Sequence, residues 1–226
     1  MAFRKLYNSS DALAASVRLT GLSGSPPNIT ISSVVVSDDQ TPVLWRDFNG
    51  AKAWSIELRK VVIKLNSGVD QPDMYAGLRT FRVLINEETG QLLGIRSHFE
   101  GSTEDMRPEP SRSFAEAQLA GREKYLGLPP VLPKLTFMEA VDAVLDHGVG
   151  DPLLAKEIDG FYVMFSGMGF TSRPVWVITL RGLPPHISQG FNADEIPAWQ
   201  RNHERNVVDA TTGIVLFPST TPQPDH

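Results

Sequence analysis

Cysteine is missing from all 226 residues, and that one gap excludes disulfide frameworks, thiol nucleophiles and cysteine-ligated zinc. Long apolar runs are missing too: no stretch approaches the roughly 18 consecutive apolar residues of a membrane-crossing helix. The N-terminus, Met1-Ala2-Phe3-Arg4-Lys5-Leu6-Tyr7-Asn8-Ser9-Ser10, lacks the apolar centre of a signal peptide. The chain as written therefore reads as soluble and cytoplasmic, with no membrane insertion; had a leader been removed, it would be secreted or periplasmic. An excess of either charge is also lacking. The 21 Lys and Arg and 26 Asp and Glu are well mixed and leave a net charge of −5. Nucleic-acid binding rests on clustered cations that neutralise phosphates, so no nucleic-acid partner is expected.

The signatures of catalysis are equally sparse. His98, His147, His186, His203 and His226 form no His-Glu-x-x-His and no close metal-ligand spacing. Neither a Gly-x-Ser-x-Gly elbow nor a phosphate-binding loop occurs. Gly167-Met168-Gly169 lacks the third glycine and the following helix of a dinucleotide loop, and reads as a tight hairpin between strands. Asp38-Asp39 and Glu87-Glu88 fall in predicted turns, where solvation explains them. No catalytic residue, metal or cofactor is predicted.

What the chain does contain is an echo of itself. Ala53-Trp54-Ser55-Ile56-Glu57-Leu58 precedes Phe81 to Leu93, and Val175-Trp176-Val177-Ile178-Thr179-Leu180 precedes Asn206 to Leu216. Each time a Trp-x-Ile-x-Leu strand is followed by a strand, an Asx-x-x-Thr-Gly turn and another strand. Asn86 and Asp209 can cap their turns through the side chain, and Gly90 and Gly213 can supply the positive φ that closes them. Upstream, Ser10 to Leu19 predicts a helix capped by Ser10 and stopped by Gly21. Thr136 to Leu145 predicts another, with Thr136 and Glu139 as a capping box. A strand follows each helix, Asn28 to Val36 and Gly160 to Ser166. Trp54 and Trp176 are predicted to be core residues at matching positions. Apolar residues change phase after Leu58, from Trp54, Ile56 and Leu58 to Val61, Ile63 and Leu65, which predicts a β-bulge near Arg59-Lys60.

The polar, proline-bearing stretch from Gly101 to Arg112 divides the chain. Residues 1–105 form one α+β unit, and residues 106–226 form a linker helix, Ser113 to Leu126, followed by a second unit. The fold expected is two tandem copies of a helix packed on an antiparallel sheet.

This pattern resembles the PepSY and PepSY-like domains. The second copy carries the resemblance best, through Val175 to Leu180 and Val207 to Leu216; the first departs from it with Asn86 and Glu87-Glu88 in the turn. The resemblance implies a PepSY-like, cystatin-like unit that is not catalytic and a protein partner that could be a peptidase, since such domains occur in peptidase propeptides. The attached peptidase and the membrane helix that often accompany these domains are not found here.

One segment stands apart. The connection from Gly182 to Glu204 exceeds the roughly 15 residues usual for a structureless loop in a compact domain. It holds His186, Phe191, Trp199, Arg201 and His203, and aromatic and Arg side chains are the types that anchor binding surfaces. Phe191 and Trp199 either present such an anchor or tuck under the loop as a satellite core. Two functions stay open. One is a non-catalytic module that binds a protein or peptide, through this loop or by pairing at an exposed sheet edge. The other is a small-molecule binder or enzyme with a pocket between helix and sheet or between the two units.

Overall fold

The computed structural model describes residues 2–22, 28–37, 46–63, 78–99, 124–147, 151–167, 169–183 and 202–222. Helix α1 (Ser9–Thr20) leads into β1 (Ile29–Val35), β2 (Lys52–Val61), β3 (Arg79–Asn86) and β4 (Leu92–Phe99). After β5 (Lys124–Gly127), helix α2 (Phe137–His147) leads into β6 (Glu157–Gly167), β7 (Phe170–Leu183), β8 (Asn202–Asp209) and β9 (Val215–Pro222). All the strands belong to one nine-stranded sheet in the order β1-β2-β3-β4-β6-β7-β8-β9, with β5 off this path and paired to β6. Every pairing is antiparallel. Hydrogen bonds between β4 and β6 therefore join the first helix-and-four-strand series to the second.

Both helices lie on one face of this sheet. Their buried residues, among them Leu19, Phe137 and Val144, meet Ile56, Phe81, Ile95, Ile158 and Trp176 in the main core. Alternate strand residues point the other way. There they build two smaller apolar clusters, one around Phe161, Phe165 and Val177 and one around Phe48, Leu84 and Leu93.

Local sequence accounts for most element ends. α2 begins with the expected capping box: Thr136 Oγ1 accepts from the Glu139 backbone N–H at 3.3 Å, and Glu139 Oε2 accepts from the Thr136 N–H at 2.6 Å. α1 ends at Gly21, whose φ of 72° carries it into the left-handed region. Its start corrects the expectation. Asn8, not Ser10, is the cap: its extended backbone directs Oδ1 to the Asp11 N–H at 2.9 Å, so Ser10 falls inside the helix. The bulge near Arg59-Lys60 is present, as a register shift between Leu58 and Val61 with Lys60 at φ 55°. β6 and β7 are paired as far as Gly167 and Phe170.

The predicted linker helix is overturned at its C-terminal end, Ser113 to Glu123 lying outside the described residues. Lys124 to Gly127 is the strand β5, because the β6 edge beyond β4 has backbone groups to satisfy, and pairing there buries Tyr125 against Phe165. The boundary segment 101–112 also lies outside the described residues.

Candidate functional site

The two Asx turns share their hydrogen bonds. Asn86 Oδ1 accepts from the Glu88 and Thr89 N–H groups, each at 2.9 Å. Asp209 Oδ1 accepts from Thr211 at 2.8 Å and Thr212 at 3.1 Å. Gly90 (φ 71°) and Gly213 (φ 77°) close the two turns. A further likeness was not legible in the sequence: the segment before each helix docks on its own turn, Leu6 donating to the Glu87 carbonyl and Leu135 to the Ala210 carbonyl. Trp176 is wholly buried and donates to the Leu135 carbonyl at 2.9 Å. Trp54 is half-buried against the main core, and its Nε1 has no acceptor among the described residues. These five residues, Trp54, Gly90, Trp176, Asp209 and Gly213, serve the architecture.

Of the predicted binding residues, His186, Phe191, Trp199 and Arg201 lie outside the described residues. His203 falls in β8 opposite Thr221, and only its backbone is described. His98 is exposed on β4 and His147 is exposed at the end of α2, so neither lines a cleft between helix and sheet.

The face away from the helices carries charge that sequence reasoning missed. One cross-strand row runs Glu57, Arg82, Arg96, Asp159, Thr179 and Arg205 from β2 to β8. Its centre, Asp159, is buried at 0% exposure, and so, at 2%, is Arg181, which lies in the next row opposite Glu157. Arg96 Nη2 donates to both Glu157 oxygens at 2.9 and 2.8 Å, and Arg181 Nε lies 2.6 Å from Asp159 Oδ2. Burial pushes the Glu157 carboxyl up, and Asp159 beside it adds to this, against the pull of Arg96. Burial would also raise Glu57, but hydrogen bonds from Arg59 and Arg82 outweigh it and hold that carboxyl low. Two carboxylates here face two guanidinium groups, a self-neutralising set spanning β4, β6 and β7. A slip of one residue would turn these charges into the helix-side core, so the set penalises misregistration. It offers no activated nucleophile.

Arg79 ties the two series together. Buried at 1% exposure, its guanidinium donates to the carbonyls of Pro152 (3.2 Å), Ala155 (2.5 Å) and Leu153 (3.5 Å) and stacks 3.8 Å from the Phe99 ring. Burial lowers its pKa to about 10.

Among the described residues the feature most open to a partner is β1. It pairs with β2 on one side, and no described strand covers its other side. Asn28 O accepts from Arg59 N, and Val36 N donates to Ala51 O. Even-numbered residues of β1 thus bond to β2, while Ile29, Ile31, Ser33 and Val35 turn their N–H and C=O groups outward. Thr30, Ser32, Ser33 and Val35 are exposed. Natural edges are blunted by charge, proline or bulges. The seven-residue β1, Ile-Thr-Ile-Ser-Ser-Val-Val, has no charge and no proline, and its register with β2 is unbroken. The opposite edge, β9, carries Pro218 and Pro222.

Among the described residues no three His, Asp or Glu side chains are grouped to hold a metal ion, and no helix is long and apolar enough to cross a membrane. No family model matches the chain, and neither a curated protein nor a solved structure matches it.

Proposed function

We propose that the chain is a non-catalytic binding module, made of two tandem copies of one PepSY-like unit, that takes up an extended segment of a partner protein by strand addition along β1. The observation that carries this is the unguarded edge: outward backbone groups at Ile29, Ile31, Ser33 and Val35 in a strand with no charge, proline or bulge. An added strand gains main-chain hydrogen bonds there, and its side chains alternate between Ile29 and Ile31 on the helix side and Thr30 and Ser32 on the other. The tandem reading draws on the two matching turns, the two helix starts docked on them, and the recurrence of helix and four strands. The family resemblance places peptidases among the proteins that could supply such a segment. The self-neutralised charges on the far face also suit a scaffold better than an active site.

The test is binding of a displayed library of extended peptides to wild type and to Ser33→Pro. Proline at position 33 removes an outward donor and leaves the bonds to β2 in place. Selected peptides should lose binding to the variant while its thermal unfolding stays close to wild type. Peptides that bind both chains equally would refute strand addition at β1.

A further inference from the structure

Building on the reading of β1 as a docking edge, we infer that the segment it takes up is β1 of a second copy, so that the protein is a two-fold symmetric dimer with one sheet running through both chains. Three observations lead there.

The first is register. An antiparallel β1 pair centred on Ser32 sets Ile31 against Ser33 and Ile29 against Val35 of the second copy. Each of these is an outward-facing residue and each lands in a hydrogen-bonded position. About eight interchain hydrogen bonds result, two for each such pair. No outward residue of β1 is wasted in this register, and sliding either way leaves some unpaired.

The second is side-chain compatibility. The same register sets Thr30 against Val34 and Ser32 against Ser32, so no charge meets a like charge on either face. A strand bearing a lysine or glutamate would repel its own copy; this one has neither.

The third is closure. Pairing β1 with β9 of another copy would repeat without end and build a fibre. Pro218 and Pro222 supply no N–H donor and make β9 a poor template. An isologous β1 pair uses up the open edge of both chains and leaves proline-bearing strands at the two ends.

The mass of the purified full-length chain, measured by light scattering after size exclusion, tests this directly. Wild type should run at twice the 24.9 kDa chain mass and Ser33→Pro at the single mass, both with cooperative thermal unfolding. Because the chain has no cysteine, a single introduced one reports the register. Ser32→Cys places two thiols in facing, non-hydrogen-bonded positions and should cross-link to a covalent dimer under mild oxidant. Thr30→Cys sets its thiols several residues apart and should not. A single-mass wild type, with Ser32→Cys cross-linking no faster than Thr30→Cys, would overturn the dimer. If that chain still bound peptides that Ser33→Pro did not, the docking edge would stand and its partner would be a different protein. Loss of neither mass nor peptide binding in Ser33→Pro would remove both readings.

Discussion

Replacing Asn206 by valine should make the protein more stable, although the residue is completely buried. Asn206 lies on the helix side of β8, opposite Ile178 and two residues before Val208, both core residues. Its exposure is 0%, and neither amide atom has a hydrogen-bond partner among the described residues. The matching position of β3, three residues before the Asx of its turn, is Val83, equally buried and apolar. An unsatisfied buried polar group costs about 1–3 kcal/mol. Valine is close to asparagine in size, favours strands and leaves no polar atom behind. The expected gain is about 2 kcal/mol, which for a chain of this length raises Tm by roughly 4–8 °C. Urea unfolding of Asn206→Val should show a higher midpoint with an unchanged slope. A lower midpoint would refute the reasoning and mean that the amide bonds to something other than protein, a buried water or a ligand.

Asp159→Ala removes the carboxylate 2.6 Å from buried Arg181 and should cost about 3–5 kcal/mol in urea unfolding, while Asp159→Leu with Arg181→Met should recover most of the loss. Asp209 is held below the ordinary carboxyl range: burial would raise it, but the Thr211 N–H, Arg173 and the Thr212 N–H prevail. The stability it contributes is therefore complete above the ordinary aspartate pKa and lost as pH falls through its lower folded value. Asp209→Asn should flatten the acid limb of the stability–pH curve, and an unchanged limb would count against the turn geometry. Gly213→Ala should cost about 1–2 kcal/mol for the left-handed backbone alone. Gly90→Ala should cost more, because its new Cβ would also strike the Arg4 carbonyl oxygen; equal losses would mean that the N-terminal segment does not rest on that turn.

Where short-range chemistry decides, the amino-acid order was sufficient. An Asx side chain reaches N–H groups two and three residues on, so both turns were legible from Asn86, Asp209 and their glycines. The same holds for the Thr136 capping box and for the bulge after Leu58, which the change in apolar phase announced. Ser10 misled because Asn8, two residues earlier, is an equally able cap, and the choice between them depends on where the preceding segment docks. Lys124 to Leu126 misled because the pair Tyr125-Leu126 suits helix or strand alike, and the vacant β6 edge decided.

What the sequence determined by itself was therefore a local inventory: the places of α1 and α2, the Thr136 cap, the strands other than β5, the Asx turns, and the absence of any thiol, nucleotide-loop or zinc-protease signature. Only the tertiary structure decided which strands are neighbours. Pairing β4 with β6 makes one sheet of two series, brings Arg96 within reach of Glu157, and carries Arg79 to the carbonyls before β6. It also leaves β1 at an edge. The physical reason is reach: a cap or turn is settled by atoms a few residues apart. Strand order is settled by which distant segments together bury the most apolar surface and satisfy the most backbone, and no local pattern encodes that competition.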